Sequence, residues 1–364
     1  MRLAFLLSDL GLGGAQRVAS LLAGEFASQG HEVAIITLNA GPALFPLPQQ
    51  VQRIALGQTG DTCGLWAKIT ANLGRLAAVR RALREFRPDG VIAFITPVNV
   101  MALLAGLGCG WPTVVSERSD PKAQPWPLPW RLLRRLCYPL AAAVVMQTAK
   151  AAAALPCYRR KLVIANPVIA PAFDGTAASL PRPCLLAAGR LSWEKGFDLL
   201  LAAFAKLRDR HPSWTLAIAG EGEERAALEA QISALALQER VSLLGFRSDM
   251  GALLAAAEIF VLPSRFEGFP NALCEAMAAG KAVVAADCPS GPADLIRHNE
   301  NGLLTQAEDV ETLACALDRL MTDVGLRYHL GEQAKGLSQQ FSLAATADQW
   351  LTLIQQCISP FGSR

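Results

Sequence analysis

Residues 264–275 read Ser264-Arg-Phe-Glu267-Gly268-Phe269-Pro270-Asn271-Ala272-Leu273-Cys-Glu275, two carboxylates with seven residues between them. Pro270 suits the first position of a helix, where its missing N–H costs nothing. The amides of Asn271, Ala272 and Leu273 would then point out of the helix start, a terminus that attracts phosphate. Taken alone, Glu267 and Glu275 are a capping acid and a solvated helix acid. A second segment changes that reading: Ala187-Ala-Gly-Arg190-Leu-Ser-Trp-Glu-Lys195-Gly196 ends an apolar run with two cations spaced to straddle a turn. Arg190 offers a forked donor and Lys195 a point charge, a pairing suited to a diphosphate that departs as a leaving group. Gly220-Glu-Gly222-Glu and Leu244-Gly-Phe246 each follow a further apolar run and, alone, read as generic turns.

For these segments to meet, they must leave the same edge of one sheet. Short apolar runs of strand length at 184–188, 215–219, 241–244, 259–262 and 282–286 alternate with helix-period stretches at 196–210, 223–235, 250–256 and 270–279. Such alternation predicts a parallel sheet covered on both faces, whose ligands bind at the strand C-terminal ends. The first half repeats the pattern: strands at 3–8, 33–37, 90–95, 113–116 and 143–146, with helices at 15–28, 66–86, from Val98, and near 128–138. A Pro-, Ala-, Gly- and Ser-rich stretch ending at Pro183 reads as a linker. A chain of 364 residues is about two domains at the usual size. The expected division is 1–165, a linker at 166–183, 184–340, and a C-terminal helix at 341–364 packing back on the first domain.

Composition narrows the classes. At 52% hydrophobic and 18% charged the chain is globular rather than disordered. No uncharged apolar stretch reaches 18 residues, so neither a spanning helix nor a signal peptide is expected, and the chain reads as cytoplasmic. Its nine cysteines are odd in number, scattered and never spaced Cys-x-x-Cys, which argues for reduced packing residues over disulfides or zinc. Residues 1–165 hold 18 Lys/Arg against 8 Asp/Glu, whereas the remainder holds 16 against 23. A basic half joined to an acidic half suits an anionic surface or substrate on one side only. The basic helices lack interleaved stacking aromatics, which excludes nucleic acid.

On the segments 189–196 and 267–275, with weaker support from Gly13-Gly14-Ala-Gln-Arg17, the chain resembles the retaining glycosyltransferases of family four over almost its full length. The resemblance implies an α/β GT-B fold, two doubly wound Rossmann-like domains facing a cleft. It implies a nucleotide sugar held mainly by the second domain. Arg190 and Lys195 would hold the diphosphate, Glu275 the ribose hydroxyls and Phe246 the base through its main chain. Glu267, with residues 268–271, would hold the transferred sugar, and Gly222, Ala272 and Leu273 would line the same site. Arg190, Lys195 and Glu267 are the catalytic candidates, with no metal and no cofactor. The run Phe-Glu-Gly-Phe-Pro-Asn-Ala-Leu-Cys-Glu-Ala-Met, followed by Ala286-Asp-Cys-Pro-Ser-Gly-Pro292, resembles members that use UDP-hexoses or UDP-N-acetylhexosamines on polyprenyl-diphosphate-linked or other cell-envelope glycans; GDP is the alternative base.

Many members place a histidine after the strand equivalent to 113–116, and here the loop reads Ser116-Glu117-Arg118-Ser-Asp120. Glu117 and Arg118 are therefore the candidate acceptor contacts. In the family the Gly13–Gly14 turn lets phosphate or acceptor approach the backbone closely. The same turn invites a dinucleotide-binding reading, which fails because Gln16 stands where the third glycine belongs and the second strand ends at Leu38-Asn39 without an acid. The rival classes are a GT-B-type sugar-nucleotide epimerase and a non-catalytic sugar-nucleotide-binding membrane protein. Trp126-Pro-Leu-Pro-Trp130-Arg131-Leu-Leu-Arg134-Arg135-Leu-Cys-Tyr138 mixes aromatic and leucine anchors with three arginines, and residues 66–86 add Lys68, Arg75, Arg80, Arg81 and Arg84. This composition predicts peripheral contact with an anionic membrane; two amphipathic helices packed on the sheet are the alternative.

Overall fold

A computed structural model describes the chain except for Leu12, Pro46, residues 59–64 and 119–125, Pro156, Cys157, Arg159, Ser290 and residues 359–364, and gives only the backbone of 65–69. Cys63, Cys157 and Asp120, the side chains of Trp66 and Lys68, and Ser290 of the Ala286–Pro292 run thus lie outside the described residues.

The first half runs β1 (Arg2–Leu7), α1 (Gly14–Ser28), β2 (Glu32–Thr37), β3 (Val51–Ala55), α2 (Leu65–Phe86), β4 (Gly90–Phe94), α3 (Thr96–Gly106), β5 (Thr113–Ser116), α4 (Leu128–Cys137), β6 (Ala143–Met146), α5 (Ala149–Ala154) and β7 (Lys161–Val163). The second runs β8 (Cys184–Ala188), α6 (Phe197–Leu207), β9 (Thr215–Ala219), α7 (Arg225–Ala234), β10 (Val241–Leu243), α8 (Met250–Ala256), β11 (Ile259–Leu262), α9 (Asn271–Ala278), β12 (Ala282–Asp287), α10 (Pro292–Leu295) and β13 (Leu303–Gln306). Four helices close the chain: α11 (Val310–Thr322), α12 (Val324–Ala334), α13 (Gly336–Gln340) and α14 (Leu343–Ile358).

Two compact units result, Met1–Pro167 with Leu343–Arg364, and Val168–Ser342. The first holds a seven-stranded sheet, β3-β2-β1-β4-β5-β6-β7, and the second a six-stranded sheet, β10-β9-β8-β11-β12-β13. Strand pairs run parallel throughout, as in β1 with β4 and β8 with β11. In each sheet the strand order reverses beside the first strand, between β1 and β4 and between β8 and β11. That switch point is where doubly wound sheets leave a crevice for ligands.

The central strands are apolar because both faces are covered: every residue of β4, β8 and β11 is buried. At about 1.5–3 kcal/mol for each large side chain fully buried, these runs commit the chain to the sheet interior. The last helix, α14, closes the first unit: Trp350, Ile354 and Leu353 join Phe5, Phe26 and Phe94 in one core cluster. Trp350 lies 6.3 Å from Phe94, centroid to centroid.

Several elements depart from the sequence reading. β3, β7 and β13 were not expected as strands; each is a sheet edge, and β3 and β7 bury few of their residues. The Pro-rich stretch after Pro167 packs on the second unit. There the Ala178 N–H donates to the Ala252 carbonyl at 3.1 Å, and a Cβ on Gly251 would stand 1.9 Å from the Ala172 oxygen.

Candidate active site

The segments carrying Arg190–Lys195 and Glu267 leave β8 and β11, the two strands flanking the switch point of the second sheet. The two loops are tied by backbone and side chain. The Arg265 N–H donates to the Glu194 carbonyl at 2.8 Å. The Arg265 guanidinium donates to the Trp193 carbonyl at 2.7 Å and to both carboxylate oxygens of Asp198 at 2.8 and 2.6 Å. It also lies over the Trp193 ring, 4.8 Å from the centroid. Those hydrogen bonds to Asp198 hold the guanidinium pKa above its ordinary value. Gly196 makes the turn possible: its φ is 65°, and a Cβ would meet the Pro263 carbonyl at 2.2 Å.

This bracing sets the central contact. Lys195 Nζ donates to Glu267 Oε1 at 2.7 Å and to Oε2 at 2.9 Å. Ser264, fully buried, donates its hydroxyl to Glu267 Oε1 at 2.7 Å. With Glu267 only 5% exposed, the pair is a partly desolvated charge couple aimed from two loops at one place. Ser264 was not among the sequence candidates, although it stands three residues before Glu267 in the same motif. Arg190 is exposed, and its side chain makes no hydrogen bond or ion pair among the described residues. It is an unanchored donor where Lys195 is held by Glu267.

The helix start differs by one residue from expectation. Pro270 is the residue before α9, not its first residue, and the Asn271 N–H is taken by the Phe269 carbonyl at 3.0 Å. The amides of Ala272 and Leu273 remain as the open donors of the first turn. The side chains of Phe269 and Leu273 are buried, so these residues offer only main chain. Gly268 lies between them and Glu267, and Glu275 is buried one turn into α9. Gly222 lets the loop after β9 pack on the Arg190 loop, since a Cβ there would stand 2.2 Å from the Leu191 carbonyl. Phe246 is exposed on the loop after β10.

In the first unit, Gly13 precedes α1 and Gly14 begins it, behind a loop organised by Asp9, which accepts from the Gly11 N–H at 2.9 Å and from Gln16 at 3.2 Å. Glu117 turns inward and is 2% exposed. It accepts from Thr96 Oγ1 at 2.8 and 3.0 Å and from the Tyr138 hydroxyl, itself held by Asn99 Nδ2 at 2.9 Å. Burial pushes the Glu117 carboxyl up, against the pull of those donors and of the Arg134 charge. Burial, and then the Glu117 charge, pushes the Tyr138 phenol well up. The carboxylate expected at the acceptor is thus an interior hydrogen-bonding centre. Its neighbour Arg118 lies over the Phe94 ring at 4.4 Å and donates to Asn166 Oδ1 at 2.6 Å.

Helix α4 shows which of the expected membrane anchors are free. Trp130 and Leu133 pack on the core cluster under β6, whereas Leu128, Leu132 and Leu136 of α4, and Leu140 in the 3-10 turn after it, are exposed at four-residue spacing beside exposed Arg131 and Arg135. On α2, Arg80 is drawn to the Leu107 carbonyl at 2.9 Å, and Arg81 and Arg84 are exposed. Among the described residues no helix is long and apolar enough to cross a membrane.

The chain matches the family described as glycosyl transferases group 1 over residues 172–337 and the glycosyl transferase 4-like domain over residues 13–166. It is 29% identical over 360 residues, 98% of this chain and 99% of the other, to an α-1,4-N-acetyl-D-galactosaminyltransferase of Campylobacter jejuni whose name gives an undecaprenol-diphosphate-linked glycan as its acceptor. An amylovoran biosynthesis glycosyltransferase of Erwinia amylovora is 26% identical, covering 93% of this chain and 95% of its own. Among solved structures, a sucrose-phosphate synthase from Thermosynechococcus elongatus superimposes with a TM-score of 0.83 at 19% identity, over 99% of both chains. Anabaena HepE in complex with UDP superimposes with 0.81 at 22%, over 98% of this chain and 100% of that one. The two doubly wound units are those of the GT-B fold. This chain belongs to the family-four glycosyltransferases.

Proposed function

We propose that this glycosyltransferase moves a hexose or N-acetylhexosamine from a nucleotide sugar, UDP-linked in the first instance, to a polyprenyl-diphosphate-linked glycan of the cell envelope, with the anomeric configuration retained. The observation that carries the reading is the Lys195–Glu267 contact beside the open amides of α9. A diphosphate placed there would draw Lys195 and the exposed Arg190, and would face the start of α9. As the sugar–phosphate bond breaks, charge grows on the departing oxygen, and cations gathered beside it in a partly dry site would stabilise it. Glu267, held by Ser264, would stay to position the sugar. Retention fits a same-face path in which the departing phosphate oxygen takes the acceptor proton. The galactosaminyltransferase relative supports the lipid-linked acceptor, and the UDP complex of a fold relative supports the base. A nucleotide-sugar panel tests this, first by thermal shift and then by transfer and hydrolysis. A UDP-sugar should raise the melting temperature and be consumed; a panel with neither effect would sink the reading.

We further propose that the first unit meets an anionic membrane through α4. The exposed leucines at four-residue spacing, flanked by arginines, form an apolar stripe with a basic border, the pattern of a helix lying in the headgroup plane.

A further inference from the structure

Arg118 carries a half-buried charge that no acid among the described residues balances. Its Nη1 donates to Asn166 Oδ1, a neutral acceptor, and its guanidinium rests on the face of Phe94. Its Nε and Nη2 atoms are buried and make no hydrogen bond among the described residues. The acid next to it in sequence, Glu117, points away to Thr96 and Tyr138. Burial alone pushes the Arg118 pKa down to about 9, with no carboxylate pulling it back.

The two unused atoms are the side edge of the guanidinium. Nε–H and an Nη2–H run parallel, and that edge receives two oxygens of one phosphate or carboxylate. Leaving buried guanidinium donors unpaired is costly, so an anion supplied from outside relieves a penalty that the fold itself carries. Among the described residues, neutral groups stand beside it: Asn166, and Gln147, whose amide lies 2.8 Å from Asn166 Oδ1, both buried. Arg118 also follows β5 directly, at the strand ends where doubly wound sheets bind ligands.

We propose that Arg118, with Asn166 and Gln147, forms an oxyanion subsite within the first unit that takes a phosphoryl group of the acceptor; its assignment to the acceptor, though not the subsite itself, rests on the transfer reading above. The anion could equally belong to the donor, so the test separates the two.

The full chain carrying Arg190→Ala and Lys195→Ala removes the diphosphate cations of the second unit. In that chain the Arg118 Nε–H resonance, identified by its loss in Arg118→Lys, is followed by nitrogen-15 NMR. Inorganic diphosphate should shift it saturably, and farnesyl diphosphate should do so at lower concentration than UDP. No shift with inorganic diphosphate overturns the subsite, and a stronger response to UDP overturns its assignment to the acceptor. In the otherwise unaltered enzyme, Arg118→Gln should raise KM for a lipid-diphosphate acceptor about ten- to a hundredfold, the loss of one charge-assisted contact, while KM for the nucleotide sugar in hydrolysis stays unchanged. An unchanged acceptor KM overturns the role. If the wild-type chain turns over no nucleotide sugar, the transfer reading fails, and the NMR titration still decides the subsite.

Discussion

Lys195 and Glu267, 72 residues apart in the chain, share two hydrogen bonds of 2.7 and 2.9 Å. The contact exists because a 3-10 turn at Trp193–Lys195 and the loop after β11 are locked by Arg265 and Asp198. Within the chain itself, Glu267 neutralises the lysine that a diphosphate would claim.

Removing the lysine should therefore do two things. Lys195→Met strands a carboxylate that is 5% exposed; because Lys195 is 22% exposed and Ser264 still holds Glu267, the stability loss should be about 2 kcal/mol, below the usual range for a fully buried pair. Turnover should fall about a hundred- to a thousandfold. Adding Glu267→Gln should restore the stability and not the turnover. Arg190→Ala, on an exposed side chain, should lose turnover with no change in denaturation midpoint. Full activity in both single variants would remove these residues from the site.

Retention and metal independence are tested on one product. NMR of the isolated glycoside should show the anomeric configuration of the donor, and inversion would refute the same-face path. Transfer should persist in EDTA if, as proposed, Arg190 and Lys195 supply the charge for which other transferases use an Asp-x-Asp metal site, a motif this sequence lacks. Activity lost in EDTA and restored by magnesium or manganese would show the opposite.

The buried Glu117 cluster makes a pH prediction. Burial raises the folded carboxyl pKa, so the folded chain holds this proton more tightly than the unfolded one. The stability contributed by the group is then present below its unfolded pKa and is lost as pH rises through the folded value. Glu117→Gln should be less sensitive to that rise, gaining on wild type in urea titrations as pH climbs above the ordinary carboxyl range. Tyr138→Phe should cost about 1–3 kcal/mol, since it deprives a buried carboxylate of a donor. A Tyr138→Phe chain as stable as wild type would mean that the network is not sustained in solution.

Membrane binding should depend on the outward side of α4. Leu132→Ser with Leu136→Ser should reduce association with anionic vesicles at least tenfold, each leucine being worth about 1.5–3 kcal/mol if buried in lipid. Thermal stability should be unchanged, because both side chains are exposed. Trp130→Ala should instead destabilise the fold, since that ring packs on the core. Binding should weaken as salt rises, through screening of Arg131 and Arg135. Undiminished pelleting of the double variant would leave the stripe without a lipid role.

Read residue by residue, the sequence specifies what local physics can specify. Apolar runs of four to six residues alternating with helix-period stretches dictate parallel sheets, and the glycine turns after β8 and β9 mark which loops crowd together. That Arg190, Lys195 and Glu267 lie beyond strand ends was legible for the same reason, because the burial of β8 and β11 is written in their own residues, and the start of α9 was legible to within one residue. Three of the four edge strands were not legible: β3, for one, reads Val-Gln-Arg-Ile-Ala and gains its conformation from pairing with β2, a partner no local pattern names. Side-chain direction was likewise a tertiary decision. Glu117 and Arg118 are adjacent and equally polar, yet Tyr138 and Thr96 draw one inward while the ring of Phe94 receives the other. On α4 the sequence shows aromatic, leucine and arginine anchors together, and only packing against the core under β6 decides that Trp130 turns in and Leu132 turns out. Periodicity states that a helix has two faces; which face meets the interior depends on the surface it is pressed against.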